Sequence, residues 1–231
     1  MTHTERPTLT NEGGRRYDSY LARPAAGRAT GVIVLPDMFG LNEPIRVVAD
    51  SLAQRGHAAL VPNLFWRSDI AGVISYDDAQ HPAAWERLKA LNLDVVTADM
   101  RTAIGWLRAQ PFCNGKVAAM GFCGGGRFAY LAAARCSVDG AAALYGLGIS
   151  EHLGELGRVR CPLQLHYGLK DQHVPRSEID AVAAGVRGRP EVEVFLYPEA
   201  GHSFANPVRP TYDAEAAKIA GERIAGMLKS L

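Results

Sequence analysis

Short apolar runs of strand length alternate along this chain with longer segments in which apolar residues recur at helical spacing. The pattern predicts strands at 31–36, 58–62, 116–122, 140–145, 162–167 and 192–197. It predicts helices at 42–54, 82–91, 93–108, 127–135, 175–187 and 211–229. Continuous apolar runs are typical of strands buried on both faces of a parallel sheet. We therefore predict an α/β fold with a mostly parallel sheet and helices on both faces.

The N-terminus and one internal stretch are less regular than the rest of the chain. Residues 1–15 are predicted to be a loose lead-in with a turn at Gly13 and Gly14, and 17–23 alternates as an edge strand does. Residues 63–81 form an irregular excursion of the kind that often covers or borders a site. Because there is no internal repeat, low-complexity tract or linker, we predict one domain over residues 16–231.

Composition and charge narrow the classes of partner. Hydrophobic residues make up 48% of the 231 residues, and 25 basic residues nearly balance 24 acidic ones. A net charge of +1 gives no argument for nucleic acid or an anionic membrane as a partner, and no apolar run is long enough to span a bilayer. The polar N-terminus and the four widely spaced cysteines predict free thiols and a cytoplasmic location. We expect a small-molecule substrate and a monomer or small homo-oligomer.

The stretch around Cys123 carries the strongest chemical signal. It reads Gly-x-Cys-x-Gly between a predicted strand and a predicted helix, which is the context of a nucleophile elbow. Such a turn holds its central residue in a strained conformation, so the residues two positions away must be small, as Gly121 and Gly125 are. The helix behind Cys123 directs its positive end at the sulfur and favours a thiolate. Cys123 is therefore the predicted nucleophile, where most such elbows carry serine.

Two further residues follow predicted strands farther along the chain. Asp171 comes after the strand at 162–167, and His202 comes after the strand at 192–197. The order nucleophile, acid, histidine is that of α/β-hydrolases. His202 is predicted to take the proton from Cys123 and later to activate water, while Asp171 fixes the imidazole tautomer. In this fold the oxyanion hole uses two backbone N–H groups, which nominates Gly124 and Met38.

Several short motifs together resemble the dienelactone hydrolase family, the carboxymethylenebutenolidases. They are Gly-Phe-Cys-Gly-Gly-Gly at 121–126, Asp-x-x-Val-Pro at 171–175, Gly-His-Ser-Phe at 201–204, Pro-Asn-Leu-Phe at 62–65 and Phe-Gly-Leu-Asn at 39–42. The similarity runs from about the strand at 17–23 to the last helix. The resemblance implies a small single-domain α/β-hydrolase that opens an unsaturated lactone in chloroaromatic degradation, with no metal and no organic cofactor.

The chain departs from the pattern of that family at three places. The lactonases carry a glutamate that contacts the nucleophilic thiol, and Asp37 stands there, either to activate Cys123 or to cap the following turn. The lactonases also bind the substrate carboxylate with two arginines, where this chain has His81 and Asn206. A carboxylate site without bidentate arginines should bind weakly, so another ester or lactone can be the natural substrate. The expected substrate contacts are Phe39, His81, Trp85, Tyr145, Ser203 and Arg209.

These residues predict a hydrolase of a small lactone or ester that works through a Cys–His–Asp triad and a thioester intermediate. Two alternatives stay open: a general carboxylesterase or thioesterase, and a non-catalytic protein that binds a small ligand on the same scaffold. His166 and His173 are predicted to be structural, because neither falls at a triad position. The histidines and acids show no metal-ligand spacing.

Overall fold

The computed structural model describes residues 1–70 and 74–231, which form two compact units, Met1–Ala118 and Ala119–Leu231. One strand, β6 (Cys113–Phe122), runs from the first unit into the second. Residues 71–73 of the irregular excursion predicted at 63–81 lie outside the described residues. Within the described ranges, no helix combines the length and apolar character that a membrane crossing requires.

The first unit contains a mixed sheet in which the strands lie in the order β1-β3-β5-β4-β6. Its other strands are β1 (Thr2–Glu5), β2 (Thr8–Thr10), β3 (Arg16–Pro24), β4 (Ala29–Leu35) and β5 (Ala58–Pro62). β4 and β5 pair in parallel and are buried along their whole length, as their continuous apolar runs predict. β3 runs antiparallel to β5.

The prediction of a loose lead-in at 1–15 was wrong. β1 pairs antiparallel with the second half of β3, from Leu21 to Pro24, and β2 pairs antiparallel with its first half, from Arg16 to Asp18. β3 therefore has β1 and β5 on its two sides and is not the edge strand that its alternation predicted. All four residues of β1 are exposed, so the strand carries no apolar pattern. Its backbone pairing with β3 defines it, and Glu5 adds an ion pair with Arg23 at 3.1 Å.

The helices of the first unit follow the predicted spacing closely. They are α1 (Glu43–Gln54), α2 (His81–Lys89) and α3 (Leu93–Arg108), with a 3₁₀ turn at Asp78–Gln80. The side chain of Asn42 caps α1 by accepting the Ile45 N–H at 3.1 Å, and Gly56 ends the helix region with a φ of 93°. The buried face of α3 includes the residues that the periodicity selected, Val96, Met100, Ile104 and Leu107.

A buried carboxylate ties the start of the 63–81 excursion to α3. The Asp99 side chain is 1% exposed and accepts the indole N–H of Trp66 at 2.9 Å. Both terminal nitrogens of Arg67 donate to the same carboxylate, Nη2 at 3.0 Å. The Tyr17 ring stacks on Trp66 with centroids 5.6 Å apart, and its hydroxyl donates to the Asp99 carbonyl. This cluster satisfies a buried charge with three donors, as a stable buried ion pair requires.

The second unit contains β7 (Gly140–Leu144), β8 (Leu163–Gly168) and β9 (Val192–Tyr197), which follow β6 in the sheet in that order. β8 pairs in parallel with both β7 and β9. Its helices are α4 (Gly124–Arg135), α5 (Arg176–Gly185) and α6 (Ala214–Lys229), close to the predicted ranges. A 3₁₀ helix at Ile149–Arg158 was not predicted. The predicted catalytic residues Cys123, Asp171 and His202 follow the carboxyl ends of β6, β8 and β9.

A buried polar network joins β8, β9 and α6. His166 lies inside β8 with no exposed surface, its Nδ1 is 2.9 Å from the Tyr197 hydroxyl, and its Nε2 is 3.3 Å from Gln164 Oε1. Arg223 of α6 donates to the same Tyr197 hydroxyl at 3.1 Å. Burial and the nearby Arg223 charge lower the pKa of His166 to about 3, so the ring is neutral at physiological pH.

Candidate active site

Cys123 occupies a sharp turn between β6 and α4. Its φ is 56° and its ψ is −119°, outside the regions that residues with a side chain normally adopt. Three backbone hydrogen bonds hold this conformation: the Cys123 N–H donates to the Leu144 carbonyl at 3.1 Å, and the Cys123 carbonyl accepts the N–H groups of Gly126 and Leu147. The strain is therefore built into the fold of the second unit, as expected for a nucleophile elbow.

Glycine is required on both sides of the turn because other backbone atoms approach closely. A Cβ on Gly121 would lie 1.8 Å from the Gly125 carbonyl oxygen, and a Cβ on Gly126 would lie 2.6 Å from the Cα of Gly146. Gly124 is the first residue of α4, where a backbone N–H has no partner inside the helix. The elbow thus presents a cysteine at the positive end of a 12-residue helix.

Asp171 and His202 meet in the second unit at the ends of neighbouring strands. The Nδ1–H of His202 donates to Asp171 Oδ2 at 2.8 Å. The other carboxylate oxygen accepts the backbone N–H groups of His173 at 2.7 Å and Val174 at 2.9 Å, and the Asp171 side chain has no exposed surface. Burial acts to raise the pKa of Asp171, but these hydrogen bonds and the His202 charge outweigh it and lower the pKa.

His202 also has the Cys123 side chain as a hydrogen-bond partner. Burial acts to lower the pKa of His202. Cys123 and Asp171 each oppose burial through a negative charge and a hydrogen bond, and together they raise the pKa of His202 to about 10. Cys123 makes the largest of these favourable contributions. The geometry therefore stabilises a protonated imidazole between two anionic groups, with the carboxylate on one ring nitrogen.

Two ring side chains, Tyr145 and His173, pack against the His202 ring. The Tyr145 ring lies 5.1 Å from it and the exposed His173 ring 4.8 Å, with interplanar angles of 60° and 76°. Tyr145 has a φ of 42° and Ser203 a φ of 62°, so two strained residues border the histidine in addition to Cys123. Strain of this kind concentrates at functional sites.

The turn after β4 carries the predicted residues of the first unit. Asp37 Oδ1 accepts the N–H of Phe39 at 3.0 Å, and Asp37 Oδ2 accepts the Tyr76 hydroxyl at 3.0 Å. The Phe39 ring packs edge-on against Tyr76 at 4.5 Å and lies 5.3 Å from the His81 ring. Asp37 therefore caps its turn, which was one of the two predicted roles, and its activation of Cys123 stays a prediction.

A buried arginine for which no role was predicted lies against the same turn. Nη2 of Arg87 donates to the Met38 carbonyl at 2.8 Å, and the guanidinium lies 4.3 Å above the Phe65 ring. Arg87 is 2% exposed and shares the buried face of α2 with Ala84 and Leu88. That spacing of i, i+3 and i+4 was the signal that could have identified it.

Two further predicted substrate contacts, Trp85 and Arg209, lie on a surface hollow and in the turns after His202. Trp85 lines a surface hollow of about 450 Å³ with Pro82, Glu86 and Lys89. The backbone of Arg209 belongs to the turns that follow His202, with its N–H on the Asn206 carbonyl at 3.0 Å. Their roles toward a substrate, and the joint oxyanion hole of Met38 and Gly124, stay predictions. The described residues contain no group of three or more His, Cys, Asp or Glu side chains that could hold a metal ion.

Comparison with known proteins identifies the family. A family model described as the dienelactone hydrolase family matches residues 17–231, which is nearly the whole chain. The chain belongs to the dienelactone hydrolase family. A carboxymethylenebutenolidase from Pseudomonas putida is 32% identical over 221 residues, covering 95% of this chain and 94% of the relative. Another, from Pseudomonas sp. strain P51, is 32% identical over 231 residues, covering 99% of this chain and 96% of the relative.

Solved structures of the dienelactone hydrolase family share the fold. A dienelactone hydrolase-type protein from Klebsiella pneumoniae subsp. pneumoniae has a TM-score of 0.89 at 25% identity, over the full length of both chains. A dienelactone hydrolase-like promiscuous phosphotriesterase from metagenomic libraries has a TM-score of 0.85 at 25% identity, and the match covers 100% of this chain and 98% of the other. These matches confirm the predicted α/β-hydrolase fold with a mostly parallel sheet. The protein is a hydrolase that acts on an ester or lactone.

Proposed function

We propose that this protein hydrolyses a small lactone or ester through the triad Cys123, His202 and Asp171, with a thioester intermediate on Cys123. The observation that carries the proposal is the hydrogen-bonded chain from Asp171 through His202 to a cysteine on a strained elbow. Nucleophile, base and orienting acid are the three roles that acyl transfer of this type requires.

In the proposed first step the Cys123 thiolate attacks the substrate carbonyl carbon. A carbon–sulfur bond forms, the carbonyl oxygen becomes an oxyanion, and the N–H groups of Gly124 and Met38 stabilise it. The carbon–oxygen bond of the ester or lactone then breaks, and the protonated His202 gives its proton to the departing oxygen. The raised pKa of His202 supports this order of events, because the imidazole already holds the proton that the leaving oxygen needs.

In the proposed second step water releases the acid from the thioester. Acylation removes the negative charge of Cys123, which is the strongest of the effects that raise the pKa of His202. Burial then lowers that pKa with only Asp171 opposing it, so His202 can take a proton from water. Asp171 keeps the ring oriented throughout, since its carboxylate is fixed by His173 and Val174 N–H groups as well.

Two candidate substrate classes follow from the relatives and from the departures of this chain. The relatives named as carboxymethylenebutenolidases favour a lactone that carries a carboxylate. His81 and Asn206 stand where that activity is expected to use arginines, which favours a less anionic ester as the second candidate. We further propose that residues 16–231 act as one cytoplasmic domain, as a monomer or small homo-oligomer, without nucleic acid or membrane partners.

The test compares two substrates with purified protein. Hydrolysis of a dienelactone and of a short p-nitrophenyl ester is followed in parallel, with Cys123→Ala and Cys123→Ser alongside the wild type. We expect Cys123→Ala to lower kcat by about 10⁴-fold or more, and Cys123→Ser to retain little, because a serine hydroxyl is far harder to ionise. Wild-type rates in Cys123→Ala would overturn the nucleophile assignment.

The two substrates separate the candidate activities. Lactone turnover that exceeds ester turnover supports the lactonase, and the reverse supports an esterase that uses the same triad. If the wild type turns over neither substrate and shows no burst of p-nitrophenol, the result counts against the proposed triad and moves the ligand-binding alternative forward.

A further inference from the structure

The peptide group between Met38 and Phe39 is held at both of its polar atoms. Its carbonyl oxygen accepts a hydrogen bond from Arg87 Nη2 at 2.8 Å, and its N–H donates to Asp37 Oδ1 at 3.0 Å. Both partners are charged side chains, and hydrogen bonds to charged groups are about twice as strong as neutral ones. This peptide is therefore fixed in orientation more firmly than an ordinary turn peptide.

The preceding peptide group, between Asp37 and Met38, is fixed at its carbonyl. The Asp37 carbonyl accepts the N–H of Gly40 at 3.1 Å. Because the peptide is trans, the Met38 N–H points away from that carbonyl. With both flanking peptides held, residue 38 has little freedom in φ and ψ, and the direction of its N–H is set by Gly40 on one side and Arg87 on the other.

The surroundings of Arg87 show that its guanidinium is placed for this contact. The side chain is 2% exposed and lies over the Phe65 ring, so it has given up most of its contact with water. Gly40, with a φ of 78°, leaves room for it, since a Cβ there would lie 3.0 Å from Arg87 Nη2. Burial lowers the pKa of Arg87, and the nearby Asp37 charge opposes that shift. Such burial is costly unless the charge gains strong hydrogen bonds.

We propose that Arg87 is a positioning residue that aims the Met38 N–H at the substrate oxyanion by holding the peptide between Met38 and Phe39. The inference rests on the proposed function, in which the Met38 N–H is one of the two oxyanion donors. Arg87 itself does not touch the reacting atoms. Lysine cannot reproduce the arrangement fully, because a planar guanidinium can lie over Phe65 while one nitrogen donates, and an ammonium is a compact, strongly hydrated charge.

The experiment compares Arg87→Met, Arg87→Lys and Arg87→Ala with the matched control Arg101→Met, which removes a guanidinium from an exposed position on α3 of the same unit. For each protein, kcat and KM are measured on a short p-nitrophenyl ester. The rate of Cys123 alkylation by iodoacetamide is measured separately, because that reaction needs the thiolate but no oxyanion hole. Thermal unfolding and circular dichroism report whether each variant is folded.

We expect Arg87→Met to lower kcat by about 10- to 100-fold while KM changes by less than about threefold, because the donor is needed mainly in the transition state. The alkylation rate should stay within about twofold of wild type. Arg87→Lys should recover part of the lost kcat, and millimolar guanidinium ion should restore part of the activity of Arg87→Ala. Arg101→Met should keep the wild-type kcat.

Three results would overturn the inference. One is a kcat of Arg87→Met no lower than that of Arg101→Met. Another is a parallel fall in kcat and alkylation rate, which would mean that Arg87 acts on the thiol through Asp37. The third is full activity of Arg87→Lys together with no rescue of Arg87→Ala by guanidinium. If Arg87→Met does not fold, the activity of Arg87→Lys decides alone. The proposed triad fails differently, through an active Cys123→Ala protein, so the two failures are distinguishable.

Discussion

At the scale of single residues, the charge on Cys123 and the proton on His202 depend on each other. A buried imidazole alone would lose its proton readily, yet the pKa of His202 is raised to about 10 because two anionic partners face it. The Asp171 side chain has no exposed surface, and its hydrogen bonds from His202 and from two backbone N–H groups lower its pKa, so it carries its charge throughout the proposed reaction. Only the charge of Cys123 changes during the proposed reaction. The pKa of the base is thereby coupled to the acylation state.

This coupling predicts the order of two pKa changes. In Cys123→Ala the pKa of His202 should fall further than in Asp171→Asn, because Cys123 makes the larger favourable contribution. Each loss lowers the pKa, since each removes a negative charge that stabilises the imidazolium. The measurement is an NMR titration of the His202 ring protons in the three proteins. A wild-type His202 that titrates near 6.5, or a larger fall in Asp171→Asn, would contradict the described electrostatics.

At the scale of secondary-structure elements, the elbow depends on one glycine in β6. The strand must pass so close to the first turn of α4 that a Cβ on Gly121 would lie 1.8 Å from the Gly125 carbonyl oxygen. Backbone atoms cannot move aside as a flexible side chain can. The close approach is therefore a condition for the φ of 56° at Cys123, and the nucleophile conformation belongs to the strand–helix junction as a whole.

Gly121→Ala should damage stability and activity together. We expect the free energy of unfolding to fall by about 3 kcal/mol or more, because the clash is with backbone, and kcat to fall with it. The matched control is Gly226→Ala in α6, where a Cβ would meet nothing within 4 Å. That change should raise the free energy of unfolding by about 0.5–1 kcal/mol, since alanine favours a helix interior. Urea denaturation measures both. Equal effects of the two substitutions would show that the close approach does not govern the junction.

The contact between the 63–81 excursion and α3 likewise depends on one residue, Asp99. Its carboxylate is 1% exposed and binds Trp66 and Arg67, so Asp99→Asn leaves the Arg67 charge without its counter-ion. We expect a loss of roughly 3 kcal/mol in the free energy of unfolding. Asp180→Asn, which removes an exposed ion pair with Arg176, should cost about 0.5 kcal/mol at most. Chemical denaturation that ranks the two variants in the opposite order would be inconsistent with a buried ion pair at Asp99.

At the scale of the whole molecule, apolar patterns predicted most elements, and long-range polar contacts were missed. α1 and α3 were predicted within one or two residues because caps and buried faces are both local. β1 was missed because its exposed polar residues carry no pattern and its pairing depends on a strand some twenty residues away. The triad motif was visible as three strand ends in the right order. Arg87 was not singled out, because a lone arginine on a helix is usually solvated, and its burial depends on long-range contacts with the turn at Met38 and the Phe65 ring.

The four cysteines of the chain give the last prediction, since burial does not distinguish them. Cys123 is 5% exposed, and Cys113, Cys136 and Cys161 are 1%, 7% and 6% exposed. Cys123 is the hydrogen-bond partner of the protonated His202 ring, whereas burial raises the pKa of Cys161 to about 11. Because the thiolate is the reactive form, iodoacetamide should modify one thiol per native chain and all four in denaturant. Mass spectrometry counts the adducts, and Cys123→Ala should take up none when native and three when unfolded. Labelling of the native chain at another cysteine as fast as at Cys123 would show that access alone sets the reactivity.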